Sequence, residues 1–168
     1  MRFTHILAPT DFSSPSEDAL AYAFQEAALH QARLTLIHVL PHRAATHVYY
    51  PQGTAADSRG FTAEGVAVPV PPSREPMSVR QDEGEETLRQ LRELVPHAFT
   101  GAWHATLASG DPADAIVQAA QEQEVDLIVM GTHGRTGLAH LFLGSVAEKV
   151  MRHAPCPILV TRSHSAAS

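Results

Sequence analysis

Cysteine is almost missing from this chain of 168 residues: Cys156 stands alone. A single thiol excludes an internal disulfide framework and fits a reducing compartment, so the expected location is the cytoplasm. Long apolar runs are missing as well. The start, Met1-Arg2-Phe3-Thr4-His5-Ile6-Leu7, has no signal-like apolar segment, and no later run reaches transmembrane length, so no membrane partner is expected. There is no excess of basic charge: 12 Lys and Arg stand against 18 Asp and Glu, a formal net charge of -6. That balance argues against broad nucleic-acid binding, and it means that an anionic ligand has to be held by local groups. Several chemical signatures are also absent. The chain contains no G-x-S-x-G, no H-E-x-x-H, no paired-carboxylate motif and no P-loop.

What is present is a regular alternation. The length suits one well-buried domain, residues 1–168, interrupted by an insertion at about 42–78 that is rich in proline and glycine and has no sustained period. Phe3 to Ala8 reads as a strand stopped by Pro9. Ser14-Pro15-Ser16-Glu17 reads as a helix start, with apolar positions recurring at helical spacing up to about His30. Leu34 to Leu40 is a second strand, Val79 to about Val95 a charged helix, and Ala102 to Ala108 a third strand. Asp111 caps a helix that opens with Pro112. Val125 to Met130 is continuously apolar, the type of strand covered on both faces in a parallel sheet. Ser145 to about His153 is the last helix, and Pro157 to Thr161 the last strand. The fold class is therefore α/β: an open, doubly wound, five-stranded parallel sheet with helices on both faces. In such sheets ligands bind beyond the carboxyl ends of the strands, where the strand order reverses. Pro9-Thr10-Asp11, Gly110-Asp111 and the stretch Gly131 to Gly144 all fall at such ends.

The most unusual stretch is GTHGRTGLAHLFLGS, residues 131–145. It is not the dinucleotide fingerprint, because the first strand runs into Pro9-Thr10-Asp11 rather than G-x-G-x-x-G. Gly131-x-x-Gly134 is followed, nine residues on, by Gly144-Ser145 at a helix start. Glycines let backbone N–H groups approach a ligand, and a helix N-terminus adds unpaired donors and partial positive charge. Arg135 and His133 would add charge. Two readings fit these glycines: an anion cradle, or a loop merely relieved of strain. Two also fit Ser145, whose hydroxyl could cap its own helix in a Ser145-x-x-Glu148 box, hold a phosphate, or do both.

These residues resemble the ATP-binding branch of the universal stress protein family. The resemblance rests on the G-x2-G-x9-G-[ST] spacing together with HILAPTDFS, LIHVL, GDPADAIVQAA and DLIVMGTHGRTGLAHLFLGSVAEKVMRHAPCPILVTR, and it leaves about 42–78 without a counterpart. It implies strand order 3-2-1-4-5. It places Asp11 near the ribose and adenine, with Pro9 and Thr10 lining that corner and the Val39 backbone at the adenine edge. Gly110 would leave room near the ribose, and Met130 would pack on the nucleotide. Gly131, Gly134, Gly144, Ser145 and Val146 would hold the phosphates, with His133 and Arg135 in the same loop. The implied ligand is ATP with Mg²⁺ or Mn²⁺ bridging the phosphates. The resemblance also implies a homodimer joined antiparallel through the last strand, Ile158, Leu159, Val160 and Thr161, an apolar β-branched edge. The competing reading is an edge blunted by Pro155 and Pro157 and covered by the C-terminal tail.

Other candidates read as structural. His42 and His47, with Tyr49 and Tyr50, lack standard metal-ligand spacing. His5 and His38 read as satisfied strand histidines, and Cys156 as a small buried hydrophobe. Arg80, Asp82, Glu83, Glu85 and Glu86 read as a solvated helix face. Two function classes remain: a nucleotide-dependent regulatory protein of the stress response, or a slow ATP hydrolase or nucleotidyl transferase on the same scaffold. Pro9-Thr10-Asp11-Phe12-Ser13 matches neither the H-x-G-H nor the S-G-G-x-D-S element of transferases with related architecture, and the glycine loop offers no obvious carboxylate base. The regulatory reading is therefore preferred.

Overall fold

Period-two alternation inside fully buried strands decides this fold. In β1 (His5–Pro9) every residue is buried, with Ile6 and Ala8 facing one layer and Leu7 the other. The strand β6 (Leu127–Gly131) does the same: Leu127 and Val129 join Ile6, while Ile128 and Met130 join Leu7. Strands buried on both faces need helices on both, and a parallel sheet supplies them through its crossovers. The structure is a computed structural model that describes residues 2–41, 52–53, 64–65, 77–132 and 143–162.

The sheet is completed by β2 (Arg33–Pro41), β5 (Trp103–Gly110) and β7 (Ile158–Thr161), all parallel, in the order β5-β2-β1-β6-β7. Counting only these five, that is the expected 3-2-1-4-5. On one face, α1 (Ser14–His30) packs Leu20, Ala23, Phe24 and Ala27 onto Ile6, Leu34 and Leu36. Leu91 of α2 (Met77–Glu93) is fully buried in the same layer. On the other face lie α3 (Pro112–Glu122) and α4 (Ser145–His153), with Ile116, Ala120, Ala147 and Val150 against Leu7, Ile37 and Ile128. Each fully buried Leu or Ile contributes about 1.5–3 kcal/mol relative to exposure. Among the described residues, no helix is long and apolar enough to cross a membrane.

The chain divides into two compact units, Met1–Pro41 with Glu86–Ser168, and His42–Glu85. Within the second, β3 (Gln52–Gly53) and β4 (Glu64–Gly65) pair antiparallel, a ladder that no periodicity in the sequence announces. His42, His47, Tyr49 and Tyr50 lie outside the described residues. Glu83, Glu85 and Glu86 are exposed, and Arg89 bridges Glu86 and Glu93, so this part of α2 is the solvated face expected.

The amino ends of the strands are tied by a polar network. Asp126 accepts from the Thr4 amide (2.7 Å), the Thr4 hydroxyl (2.8 Å) and the His5 amide (3.1 Å), which fixes the start of β6 to the start of β1. His5 is 2% exposed, and its Nε2 lies 2.7 Å from Thr35 Oγ1. Its Nδ1 lies 2.9 Å from both the Gln123 carbonyl and Arg33 Nη2. Burial, and then the charge of Arg33, outweigh the carbonyl and lower the His5 pKa, so the ring is held neutral. It is the satisfied histidine that the sequence suggested.

One expectation about helix starts is corrected. The cap of α1 is Ser13, in extended conformation and without a side-chain cap bond, and Ser14 is already helical. Ser16 instead donates back to the Ser13 carbonyl at 2.8 Å.

Candidate functional site

The opposite, carboxyl ends of the strands are built differently. β1 ends at Pro9, and the chain leaves through Thr10, whose N–H donates to the Ile37 carbonyl of β2 at 2.9 Å. Asp11 folds the next turn on itself: its Oδ1 accepts from Ser13 N (3.1 Å) and Ser13 Oγ (2.5 Å). Thr10 Oγ1 accepts from the Phe12 amide at 3.1 Å and pairs with Ser16 Oγ at 2.9 Å. Phe12 is thereby held at φ 62°, a left-handed conformation unusual for a bulky residue. Its ring lies 4.7 Å from that of His38. His38 Nδ1 stands 2.8 Å from the Thr10 carbonyl, which can only accept, so Nδ1 carries the proton. These bonds join the ends of β1 and β2 into one wall.

The second wall comes from β6 and α4. Thr132 donates its N–H to the Thr161 carbonyl (2.9 Å), and its own carbonyl accepts from Gly144 N at 2.6 Å. That bond sets the start of α4 beside the end of β6. Gly144 caps α4 with φ -74° and ψ 154°, and Ser145 is the first helical residue. Glu148 N donates to the Gly144 carbonyl at 2.9 Å, so the expected Ser145-x-x-Glu148 box does not form. The physical reason is register: the helix begins at the serine itself, which moves the cap back onto Gly144.

A cavity of about 330 Å³ lies between the walls. It opens beside β1, where the chain order runs one way through β2 and the other through β6, the expected place for a ligand in an open α/β sheet. Of the residues singled out from the sequence, Pro9, Thr10, Asp11, Val39, Met130, Gly131, Gly144, Ser145 and Val146 line it. Gly110 does not. It ends β5 at φ 122°, a conformation that favours glycine, and among the described residues a Cβ there would meet nothing within 4 Å. His133, Gly134 and Arg135 lie outside the described residues.

The lining also takes in Ser16, Thr132, Pro112 and Ile116, which the sequence did not mark as site residues, and His38, which it marked as a structural strand histidine. Thr132 and His38 adjoin residues that were recognised, and that adjacency was the available signal. Pro112 and Ile116 come from the first turns of α3, which Asp111 caps by accepting from Ala113 N and Asp114 N, both at 3.1 Å. Lys149 of α4 reaches Asp111 Oδ1 at 3.1 Å and a carboxylate oxygen of Asp114 at 2.8 Å. The Asp114 amide first, and Lys149 second, hold the Asp111 carboxyl below its ordinary range. Asp114 and Asp111 raise the Lys149 ammonium correspondingly.

Chemically, the cavity offers a carboxylate at one wall, backbone groups of β2 beside an aromatic pair, and a helix start with a serine at the other wall. Among the described residues, no three His, Cys, Asp or Glu side chains converge as a metal site. Cys156 is half-buried against the α3–α4 layer, and burial raises its thiol pKa, so it stays protonated.

Comparison with known proteins bears on the family and the fold. The family model described as the universal stress protein family matches residues 2–162. A universal stress protein of Thermus aquaticus is 35% identical over 162 residues, 95% of this chain and 99% of that protein. One of Methanocaldococcus jannaschii is 33% identical over 161 residues, 95% of this chain and 82% of its own length. Among solved structures, a universal stress protein of Lactobacillus plantarum superposes with a TM-score of 0.68 at 29% identity, covering 96% of this chain and 99% of that one. Two others share the fold at lower identity. A universal stress protein in complex with cAMP has a TM-score of 0.62 at 22% identity, covering 98% and 100% of the two chains. One of Archaeoglobus fulgidus in complex with dAMP has a TM-score of 0.52 at 21% identity, covering 95% and 98%.

Proposed function

The chain belongs to the universal stress protein family, and from that premise we propose that its strand-end cavity binds an adenine nucleotide, ATP in particular, as a cytoplasmic regulatory protein of the stress response. The observation that carries this reading is the convergence of four separate segments on one cavity: Pro9 to Asp11, Ile37 to Val39, Met130 to Thr132 and Gly144 to Ala147. An adenine edge would pair with the backbone at Val39, ribose hydroxyls would donate to Asp11, and phosphates would meet the start of α4. The cAMP and dAMP held by the two neighbours support an adenine ligand. With no three-ligand cluster among the described residues, Mg²⁺ or Mn²⁺ would take most of its oxygens from phosphate and water, the usual habit of Mg²⁺.

The test is mass spectrometry of nucleotide released from the purified protein, followed by calorimetry with ATP, AMP, cAMP and adenosine, with and without Mg²⁺. Binding of at least one adenine compound, with Mg²⁺ strengthening ATP, is the expected result; no heat with any of them at millimolar concentration refutes it. Steady phosphate release from the same sample would turn the conclusion towards a hydrolase.

The same reading includes a homodimer through β7. Ile128 N donates to the Pro157 carbonyl and Thr132 N to the Thr161 carbonyl, so the alternate residues Ile158 and Val160 turn their amides to the outer edge of the sheet. Val160→Pro removes an outward N–H and leaves the bonds to β6 in place. The expected outcome is a dimer for the unmodified protein and a monomer for the variant in sedimentation equilibrium. A wild-type monomer at micromolar concentration refutes the dimer alone.

A further inference from the structure

The chain has one lysine, and that lysine is Lys149. It stands one helical turn beyond Ser145, and its side chain runs back towards the start of α4, as helical side chains do. There its ammonium meets Asp111 and Asp114 at 3.1 and 2.8 Å. Asp111 directly precedes Pro112, and both Pro112 and Ser145 line the cavity. The three charges do not line the cavity themselves; they lie between the first turns of α3 and α4, next to Pro112 and one turn from Ser145, on the side to which the proposed function assigns the phosphates.

As a structural clasp this group is weak. Lys149, Asp111 and Asp114 are 42%, 54% and 68% exposed in their side chains, and exposed pairs contribute little to stability. Its effect on a charged ligand is another matter. Two carboxylates and one ammonium sum to one negative charge; without the ammonium they sum to two. Fields of this kind reach about 8–10 Å at ordinary ionic strength, farther than the one helical turn of about 5–6 Å that separates Lys149 from Ser145. In a chain whose net charge is already -6, an unmasked carboxylate pair would oppose every phosphate that approaches α4.

Resting on the adenine-nucleotide reading, we propose that Lys149 sets how much phosphate charge the cavity accepts, by neutralising Asp111 and Asp114 at its rim. Lys149 is on this account a specificity-determining residue, and it acts through the two carboxylates. Asp111 is needed as the cap of α3, so the informative partner for mutation is Asp114.

The experiment is calorimetric titration of adenosine, AMP and ATP into the wild type, Lys149→Met, Asp114→Asn and the double variant, at low and high salt. Lys149→Met should leave adenosine within about twofold, weaken AMP about threefold and weaken ATP about tenfold at low salt, with the differences shrinking in high salt. Asp114→Asn should restore a large part of the ATP loss in the double variant. In the wild-type background it should tighten ATP about twofold or more, a measurement that does not depend on how well Lys149→Met folds. Equal losses for adenosine and ATP would mean a structural clasp only and overturn the proposal, as would unchanged ATP binding in Lys149→Met. If the wild type binds neither adenosine nor any nucleotide, the reading of the cavity fails and this proposal fails with it. If adenosine and ATP both bind but respond alike to the substitutions, only this proposal fails.

Discussion

Gly110 allows conformation and space to be separated by a single methyl group. It closes β5 at φ 122°, and among the described residues a Cβ built there meets nothing within 4 Å. Gly110→Ala therefore creates no clash, and whatever it costs is backbone strain. Holding a non-glycine residue in such a region costs about 1–3 kcal/mol, partly offset by about 0.4–1 kcal/mol from the reduced freedom of the unfolded chain. The net expectation is a loss of about 1–2 kcal/mol, or several degrees in Tm for a chain of this size. The next residue, Asp111, caps α3, so a shift of the turn would add part of a cap's contribution, about 1 kcal/mol. Urea unfolding at constant m-value is the assay. Gly101→Ala is the complementary case: it carries no positive φ, but its Cβ would lie 2.6 Å from Phe99 Cζ. Its cost depends on whether that ring, packed 5.1 Å from Phe24, can yield. If Gly110→Ala is as stable as the wild type within about 0.3 kcal/mol, the argument from φ is wrong.

Gly144→Val should fold normally, since φ -74° is open to any residue, and should lose nucleotide affinity by at least about tenfold because its side chain enters the phosphate wall; unchanged affinity in calorimetry would place the phosphates elsewhere. Asp126→Ala removes the acceptor of three hydrogen bonds and should destabilise the fold by about 2–4 kcal/mol in urea; a loss under about 1 kcal/mol would refute the tie between β1 and β6. Burial raises the Asp126 pKa, but the bonds from Thr4 and His5 together outweigh it and leave it lowered. Its contribution should therefore be full above the unfolded carboxylate pKa and be lost as pH falls through the folded value. His5 acts in a higher window. Its folded pKa lies below the ordinary 6.5, so the unfolded chain binds the proton first, and stability should begin to fall as pH drops through about 6.5. In His5→Gln the slope of unfolding free energy against pH just below 6.5 should flatten, and an unchanged slope would assign that titration to another group.

Elements were legible in the sequence where one physical signal dominated. The apolar run of β6 and the alternation of Trp103, Ala105 and Leu107 in β5 each left one solution, and both strands form. Asp111-Pro112 placed the start of α3 to the residue, because proline fixes φ at the first helical position just after a side chain suited to capping. The two serine starts were each misplaced by one residue. Ser-x-x-Glu marks a helix entrance, but which residue caps it depends on the carbonyl that accepts the first helical bond, and those are Ser13 and Gly144. The φ of Gly110 was not legible, because a glycine's identity does not say whether room or φ requires it. The Lys149 pairs join residues 38 and 35 positions apart, and nothing local announces them.

The two ends of the sheet divide the work between stability and binding. At the amino ends, the Asp126 carboxylate accepts three protein hydrogen bonds and the His5 ring nitrogens face Thr35, Gln123 and Arg33. Those partners are used up within the fold, and the result is a rigid base. At the carboxyl ends, the same strands finish at Pro9, Val39 and Met130 around open volume, with Asp11 turned to its own loop and the exposed first residue of α4 facing the gap. A parallel sheet produces this asymmetry because every crossover returns the chain to the same end, so Thr10 after β1, Asp111 after β5 and Thr132 after β6 all leave the sheet on that side. On the proposed function, binding would be tuned by single charges beside the cavity, such as Lys149, without disturbing the buried layers beneath. Substitutions at Asp126 or His5 should lower stability at constant nucleotide affinity per folded molecule, while substitutions at Lys149 or Gly144 should do the reverse.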